Sequence, residues 1–261
     1  MPTARLDKAI CALARYGARA AWGKHRSSAA VAVSDARQGG QINKFSCLVY
    51  FFSTATMAIA PRYAKSHVYN GPAGLSSGLK HTVQLYLDYN CPFSGKLFRK
   101  ITAEVVPLLE KKSLLDKFSF VFMNVIQPWH YVGSGAYHEV ALAVAKVYPD
   151  QFWKFSGVLW DNIMTDSLSY DKTKKQVLAT AIDLAAQHLD NVDTEKLWEQ
   201  VAVPEGGQNQ LQKDIKYFTR YHRTVGVHVT PTVFVDGIVV GSIESSTEPE
   251  KIVEILQSLL D

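Results

Sequence analysis

The residues best suited to chemistry are Cys91, Pro92, Phe93 and Ser94. A cysteine attacks as its thiolate, and free N–H groups at the positive end of a helix favour that form. The spacing around Cys91 predicts such a place. Val83, Leu85, Tyr86 and Leu87 are strand formers with no breaker among them, and Asp88, Tyr89 and Asn90 end the run. Pro92 is tolerated at the first position of a helix, where its missing N–H would be unpaired anyway. Leu97, Phe98, Ile101 and Val105 then recur with a helical period. Cys91 is therefore expected at a helix N-cap, where its sulfur can attack a disulfide or a glutathionylated thiol and form a mixed disulfide. Thr230-Pro231 is the second notable pair, because a proline inside a strand run removes a ladder donor and belongs at an edge or in a special turn.

These residues need a sheet to hold them. Val83–Tyr89 reads as one strand and the apolar run Phe118–Val125 as a second, of the kind covered on both faces. A helix over 95–110 between them predicts a parallel crossover unit, with Pro107 expected to kink or stop the helix. Gln127-Pro128-Trp129-His130 follows the second strand, at the sheet edge where ligands bind in open α/β folds. That makes Trp129 and His130 candidate groove residues, the plainer reading of His130 being a surface histidine at a helix start. Helical patterns then run over 137–148, 151–162, from Asp171 to about His188, over 194–201 and over 208–224. Lys213, Lys216, Arg220 and Arg223 on the last of these make either a solvated face or a site for an anionic partner such as glutathione. Val227–Val235 and Ile238–Ile243 are expected as antiparallel strands across Asp236-Gly237, and Glu248-Pro249 opens a terminal helix.

The order strand, D-x-x-C-P-x-S (Asp88 to Ser94), helical block, V-T-P-T-x-F-V-D-G (Val229 to Gly237) and terminal helix resembles the DsbA-like branch of the thioredoxin superfamily. The resemblance covers roughly Lys80 to Asp261. It implies an α/β, thioredoxin-like fold with a helical insertion near 126–225, a cis Thr230-Pro231 bond, and a substrate groove shaped by Pro92, Phe93, Trp129, His130, Thr230 and Pro231. Ser94 stands where the dithiol enzymes of that branch have a resolving cysteine. A hydroxyl cannot resolve a mixed disulfide, so a second thiol, most simply glutathione as co-substrate, would do so, with Ser94 donating a hydrogen bond to the Cys91 sulfur.

Composition narrows the field. With 47% hydrophobic residues the chain is ample for a core. Residues 1–56 hold eight Lys/Arg and two Asp, net +6, and the remainder 20 Lys/Arg and 22 Asp/Glu, net −2, so the expected domain offers no basic argument for nucleic acid. Residues 1–56 are expected to be a disordered N-terminal extension without a core: an upstream or artefactual stretch, a mitochondrial leader, or a secretory or membrane-associated one. The uncharged run Phe45 to Ala60 is short for a membrane span, and a membrane partner is not expected. Residues 57–80 are expected to be a linker leading into the thioredoxin-like domain at 81–261. Translation from Met57 would imply the cytoplasm, and a leader the mitochondrion. Cys11 and Cys47 lie in the N-terminal stretch, so the domain has Cys91 alone, too few for a disulfide scaffold or a cysteine metal site; no metal and no bound cofactor are expected.

Four functions fit. The first is a monothiol oxidoreductase with catalytic Cys91 and Ser94, acting on protein or peptide thiols and disulfides and on glutathione. The second is a glutathione-dependent transferase or isomerase similar to the kappa class, where a serine usually stands at the cysteine's position. The third is a non-catalytic peptide-binding module. The fourth is an iron–sulfur carrier like the monothiol glutaredoxins, which have C-G-F-S.

Overall fold

The computed structural model describes residues 59–69, 80–131, 133–166 and 172–260. The chain divides into two units, Met1–Ser53 and Thr54–Asp261, and every described residue lies in the second. The expectation for residues 1–56, and the helix start at Asp171, fall outside the described residues.

Five strands form one sheet in the order β1-β3-β2-β4-β5: β1 Val68–Tyr69, β2 His81–Leu87, β3 Phe118–Asn124, β4 Thr232–Val235 and β5 Ile238–Val239. β2 and β3 are parallel, from His81 against Phe118 to Leu87 against Asn124, and the other pairs are antiparallel. Leu85, Leu87, Phe118, Phe120 and Phe122 have no exposed surface, as the long apolar runs require of central strands. Between β2 and β3 lie α1 (Pro92–Lys100), a π turn (Ile101–Val105) and α2 (Val106–Lys111). Pro107 does not stop this helix. It lacks an N–H and its ring would crowd the carbonyl four residues back, at Ala103; the wider π turn there absorbs both.

The insertion between β3 and β4 consists of α3 (Ser134–Val147), α4 (Phe152–Asp166), α5 (Lys174–His188), α6 (Thr194–Val201) and α7 (Gln212–Thr224). α5 starts from a capping box at Thr173 and Gln176. After the sheet comes α8 (Pro249–Gln257), whose Ile252, Val253 and Leu256 are buried.

Several expected boundaries shift for local reasons. β2 ends at Leu87 because the Asp88 N–H turns to Ser94 Oγ (3.3 Å) and its carbonyl to the Cys91 N–H (3.1 Å). The expected strand over 227–235 forms only from Thr232: the Val227 N–H bonds back to His222 O on α7 (2.8 Å), and the Thr232 hydroxyl closes a turn onto Val229 O (2.8 Å). β5 is short because the last bond to β4 is Val240 N–H to Val233 O (2.9 Å), after which Ile243 turns back on Val240. The hairpin itself is tight: Asp236 and Gly237 have φ of 51° and 83°, the positive pair that a two-residue turn of this twist demands. The linker expected over 57–80 needs correction over 59–69. Ile59 and Tyr63 are buried, a helical turn spans Ala64–His67, and Val68–Tyr69 is the edge strand β1. Two strand residues are too few for an alternating pattern to show, and Tyr63 is buried against α7, from which Tyr217 and Phe218 meet its ring.

Candidate functional site

Cys91 is the N-cap of α1, with extended backbone (φ −94°, ψ 113°) and Pro92 next at the first helical position. The site is thus built where β2 hands over to α1, as the spacing predicts. The Cys91 carbonyl accepts the Gly95 N–H (3.2 Å), the first bond of the helix. Its sulfur makes no cap bond; Sγ instead donates to the Thr230 carbonyl at 3.2 Å. That bond is one a thiol makes and a thiolate cannot. The Thr230–Pro231 peptide is cis, and Thr230 Oγ1 is buried without a hydrogen-bond partner among the described residues. The chain after the insertion therefore returns to the cysteine, joining two motifs 139 residues apart.

The sequence-predicted residues divide into two groups. Cys91 and Ser94 are buried, whereas Phe93 is 60% and Trp129 69% exposed. Val229, also exposed, adds a third apolar side chain, directly before Thr230. Ser94 does not donate to the sulfur: its Oγ accepts the Asp88 N–H, which holds the start of the turn to the start of the helix. Gly95 is required by packing. A Cβ there would lie 2.7 Å from Trp160 Cδ1 and 2.9 Å from Cγ, so α1 approaches α4 only because this residue has no side chain.

Asp88 is the site residue that periodicity does not single out; it reads as a strand terminator, although its place in D-x-x-C is a visible signal. Its carboxylate is fully buried. Oδ2 accepts from His130 Nδ1 (2.6 Å), and Oδ1 accepts from Ser134 Oγ (2.6 Å), His138 Nε2 (3.1 Å) and the Asn90 N–H (3.4 Å). Burial pushes the Asp88 carboxyl up, but the hydrogen bonds from His130, His138 and the Ser134 hydroxyl together outweigh it and hold it at about 2. His130 is thus joined to the cysteine turn through Asp88, with its ring beside that of Trp129.

The network continues inward. Asn124 Nδ2 donates to His138 Nδ1 (2.9 Å), His67 Nε2 donates to Asn124 Oδ1 (2.9 Å), and Ser66 Oγ donates to His67 Nδ1 (2.8 Å). With the amide so oriented, each contact in the chain from Ser66 to Asp88 pairs a donor with an acceptor, the condition under which buried polar groups are tolerated. Burial holds His67 at about 3 against its Asn124 bond, so it is neutral near pH 7. His67 and His138 are buried at helical positions with no motif around them, and only the fold brings them to Asp88.

A buried thiol at a helix N-cap, facing a carbonyl beside a cis proline, with exposed apolar side chains nearby, has the groups needed to exchange with a bound disulfide, its sulfur displacing one of the two partner sulfurs. The fold is that of the DsbA-like thiol-disulfide oxidoreductases, a thioredoxin-like sheet with a helical insertion. A Pseudomonas syringae protein provisionally named a protein-disulfide isomerase is similar at 21% identity and TM-score 0.55, over 74% of this chain and 99% of that one. MdbA, a thiol-disulfide oxidoreductase from Actinomyces oris, is similar at 18% identity and TM-score 0.52, over 73% of this chain and 84% of that one. Chlamydia trachomatis DsbA is similar at 17% identity and TM-score 0.51, over 78% of this chain and 96% of that one. At these identities the likeness establishes the fold. No family model matches the sequence. No curated protein matches it either. No described helix is long and apolar enough to cross a membrane.

Proposed function

We propose that the protein is a thiol–disulfide oxidoreductase working through one cysteine, with glutathione as co-substrate. The observation that supports this most is Cys91 at the N-cap of α1 with its sulfur 3.2 Å from the Thr230 carbonyl, next to Pro231. A substrate disulfide would enter where Phe93, Trp129 and Val229 leave apolar surface exposed. The Cys91 proton is lost from the Thr230 bond, and the thiolate attacks one substrate sulfur. The Cys91–substrate disulfide forms as the substrate's S–S bond breaks, and the other sulfur leaves as a thiolate that takes up a proton. A glutathione thiolate then attacks the substrate sulfur of that mixed disulfide. Cys91 is released, and the product is a glutathione–substrate disulfide. Ser94 has no redox role in this cycle; its hydroxyl holds the turn through Asp88.

The test is a peptide disulfide substrate with and without glutathione, followed by mass spectrometry under acid quench. A covalent adduct on Cys91 that disappears on adding glutathione is expected, with no adduct and no turnover in Cys91→Ser. Turnover by Cys91→Ser, or no adduct in the unmodified protein, would overturn the proposal. One observation favours a second reading, a peptide-binding module in which the cysteine is inert: Cys91 is 1% exposed. In that case iodoacetamide leaves Cys91 unmodified across the pH range while the peptide still binds.

A further inference from the structure

Away from the cysteine, the structure contains a cavity of about 590 Å³ lined by Arg62, Lys213, Lys216, Tyr217, Arg220, Tyr221, Thr224 and Val225. Four of its lining residues are cations and none is an acid. Lys213, Lys216 and Arg220 are spaced by three and four along α7 and so share one face. Arg62 is already engaged: its Nε is 3.4 Å from Asp214 Oδ1, its NH2 group donates to the Tyr63 hydroxyl (2.9 Å), and its guanidinium lies over the Tyr63 and Tyr217 rings. Among the described residues Lys216 meets the neutral Gln208 amide (3.4 Å) and no carboxylate. Lys213 and Arg220 have no carboxylate partner among the described residues. Three positive charges thus face one cavity without a carboxylate partner among the described residues.

The tyrosines give the cavity its apolar body. The Tyr217 hydroxyl accepts the Ala60 N–H (2.8 Å) and the Tyr221 hydroxyl accepts from Gln84 Nε2 (3.4 Å), which leaves their rings as cavity wall. Val225 completes the apolar end beyond the last turn of α7. The helix orients a ligand. Its first turns hold Lys213 and Lys216, whereas its final carbonyls, the negative end, lie by Thr224 and Val225. Negative groups therefore belong at the Lys213 end and an uncharged ring at the Tyr221 end.

We infer that this cavity is a binding site for an organic polyphosphate with a planar ring, a ligand of nucleoside polyphosphate chemistry. The volume falls within the ~300–1,000 Å³ usual for small-molecule sites. Glutathione is a poor fit, because its ammonium group needs an acidic acceptor and the lining has none. The site shares no residue with the Cys91 turn, so it stands independently of the redox proposal.

The experiment is isothermal titration of the full chain with ATP, tripolyphosphate, adenosine and glutathione in low salt. ATP should bind saturably below ~1 mM, tripolyphosphate about tenfold more weakly, and adenosine and glutathione immeasurably. Lys213, Lys216 and Arg220 are exposed, so charge reversal there leaves folding intact. Lys213→Glu combined with Arg220→Glu should weaken ATP at least about tenfold, and raising the ionic strength should weaken the unmodified protein in the same direction. Cys91→Ser should bind ATP as the unmodified protein does. No saturable ATP binding, or unchanged ATP binding in the double variant, would overturn the site. Equal binding of ATP and tripolyphosphate would overturn the ring-binding half of the assignment.

Discussion

His67 is fully buried, stacked on Phe152 and Phe218 with ring centroids 4.1 and 5.1 Å away, and burial holds its pKa at about 3 against an ordinary 6.5. The unfolded chain binds a proton at this residue below pH 6.5, and the folded chain resists it down to about pH 3. Between those values the unfolded state holds more protons, so stability rises with pH and is lost as pH falls. At pH 4 about 2.5 units of that gap have opened, which at ~1.36 kcal/mol per unit is ~3 kcal/mol. His67→Gln keeps a donor for Asn124 Oδ1 and removes the titrating ring. It should cost ~1–2 kcal/mol at pH 7 through lost ring packing, yet lose much less stability on acidification. The assay is urea unfolding of both proteins from pH 7 to pH 4, taken as a difference so that other titrating groups cancel. The stability gap should close or reverse by ~3 kcal/mol across the range. A change under ~1 kcal/mol would refute a neutral, buried His67 and, with it, the docking of residues 59–69 on the sheet.

Asp88→Asn replaces an acceptor of four bonds with a group that must turn a donor toward His130, Ser134 or His138, and should cost ~2–4 kcal/mol at pH 7 in denaturant unfolding. The Asp88 pKa is held at about 2 against 3.8, so its stabilisation is present above 3.8 and is lost as pH falls towards 2; the gap between the two proteins should shrink over that window, and a constant gap contradicts the assignment. Gly95→Ala should destabilise by ~1–3 kcal/mol despite the better helix propensity of alanine, because the Trp160 ring is in the way; a melting temperature equal to that of the parent would show that α1 and α4 can separate freely. Ser94→Cys should add insulin-reducing or disulfide-donating turnover without glutathione. An internal disulfide between Cys91 and the introduced thiol that forms but supports no turnover would mean that the surface around Thr230 does not hold a substrate.

Much of the fold was legible because its central elements are patterned locally. The largely apolar runs ahead of Asp88 and from Phe118 are of strand length and rich in strand formers, and Pro92 and Pro249 mark helix starts by their own geometry. Edges were less legible where a hydrogen bond overrides a run. Val227 to Pro231 has strand-like composition, but its backbone serves His222 and Cys91 rather than a neighbouring strand. β1 was hidden for the opposite reason: a two-residue strand has no period to detect.

For the site, the sequence by itself determined the cysteine, its place before a helix, and the absence of a second thiol at Ser94, since these depend on neighbours along the chain. The partner of the sulfur was suggested by Thr230-Pro231 but decided by the sheet, which pairs β4 with β2 and brings a carbonyl from 139 residues away to 3.2 Å. The charge buried beneath the turn was decided by tertiary structure alone. Asp88, His130, His138, Asn124 and His67 come from separate elements; Asp88 and His130 carry a signal in sequence, but nothing there joins them to each other, and His138, Asn124 and His67 look like ordinary polar residues. A carboxylate can be sealed from water only when several donors converge on it at once, and convergence is a property of packed elements in space, with no counterpart in spacing along the chain.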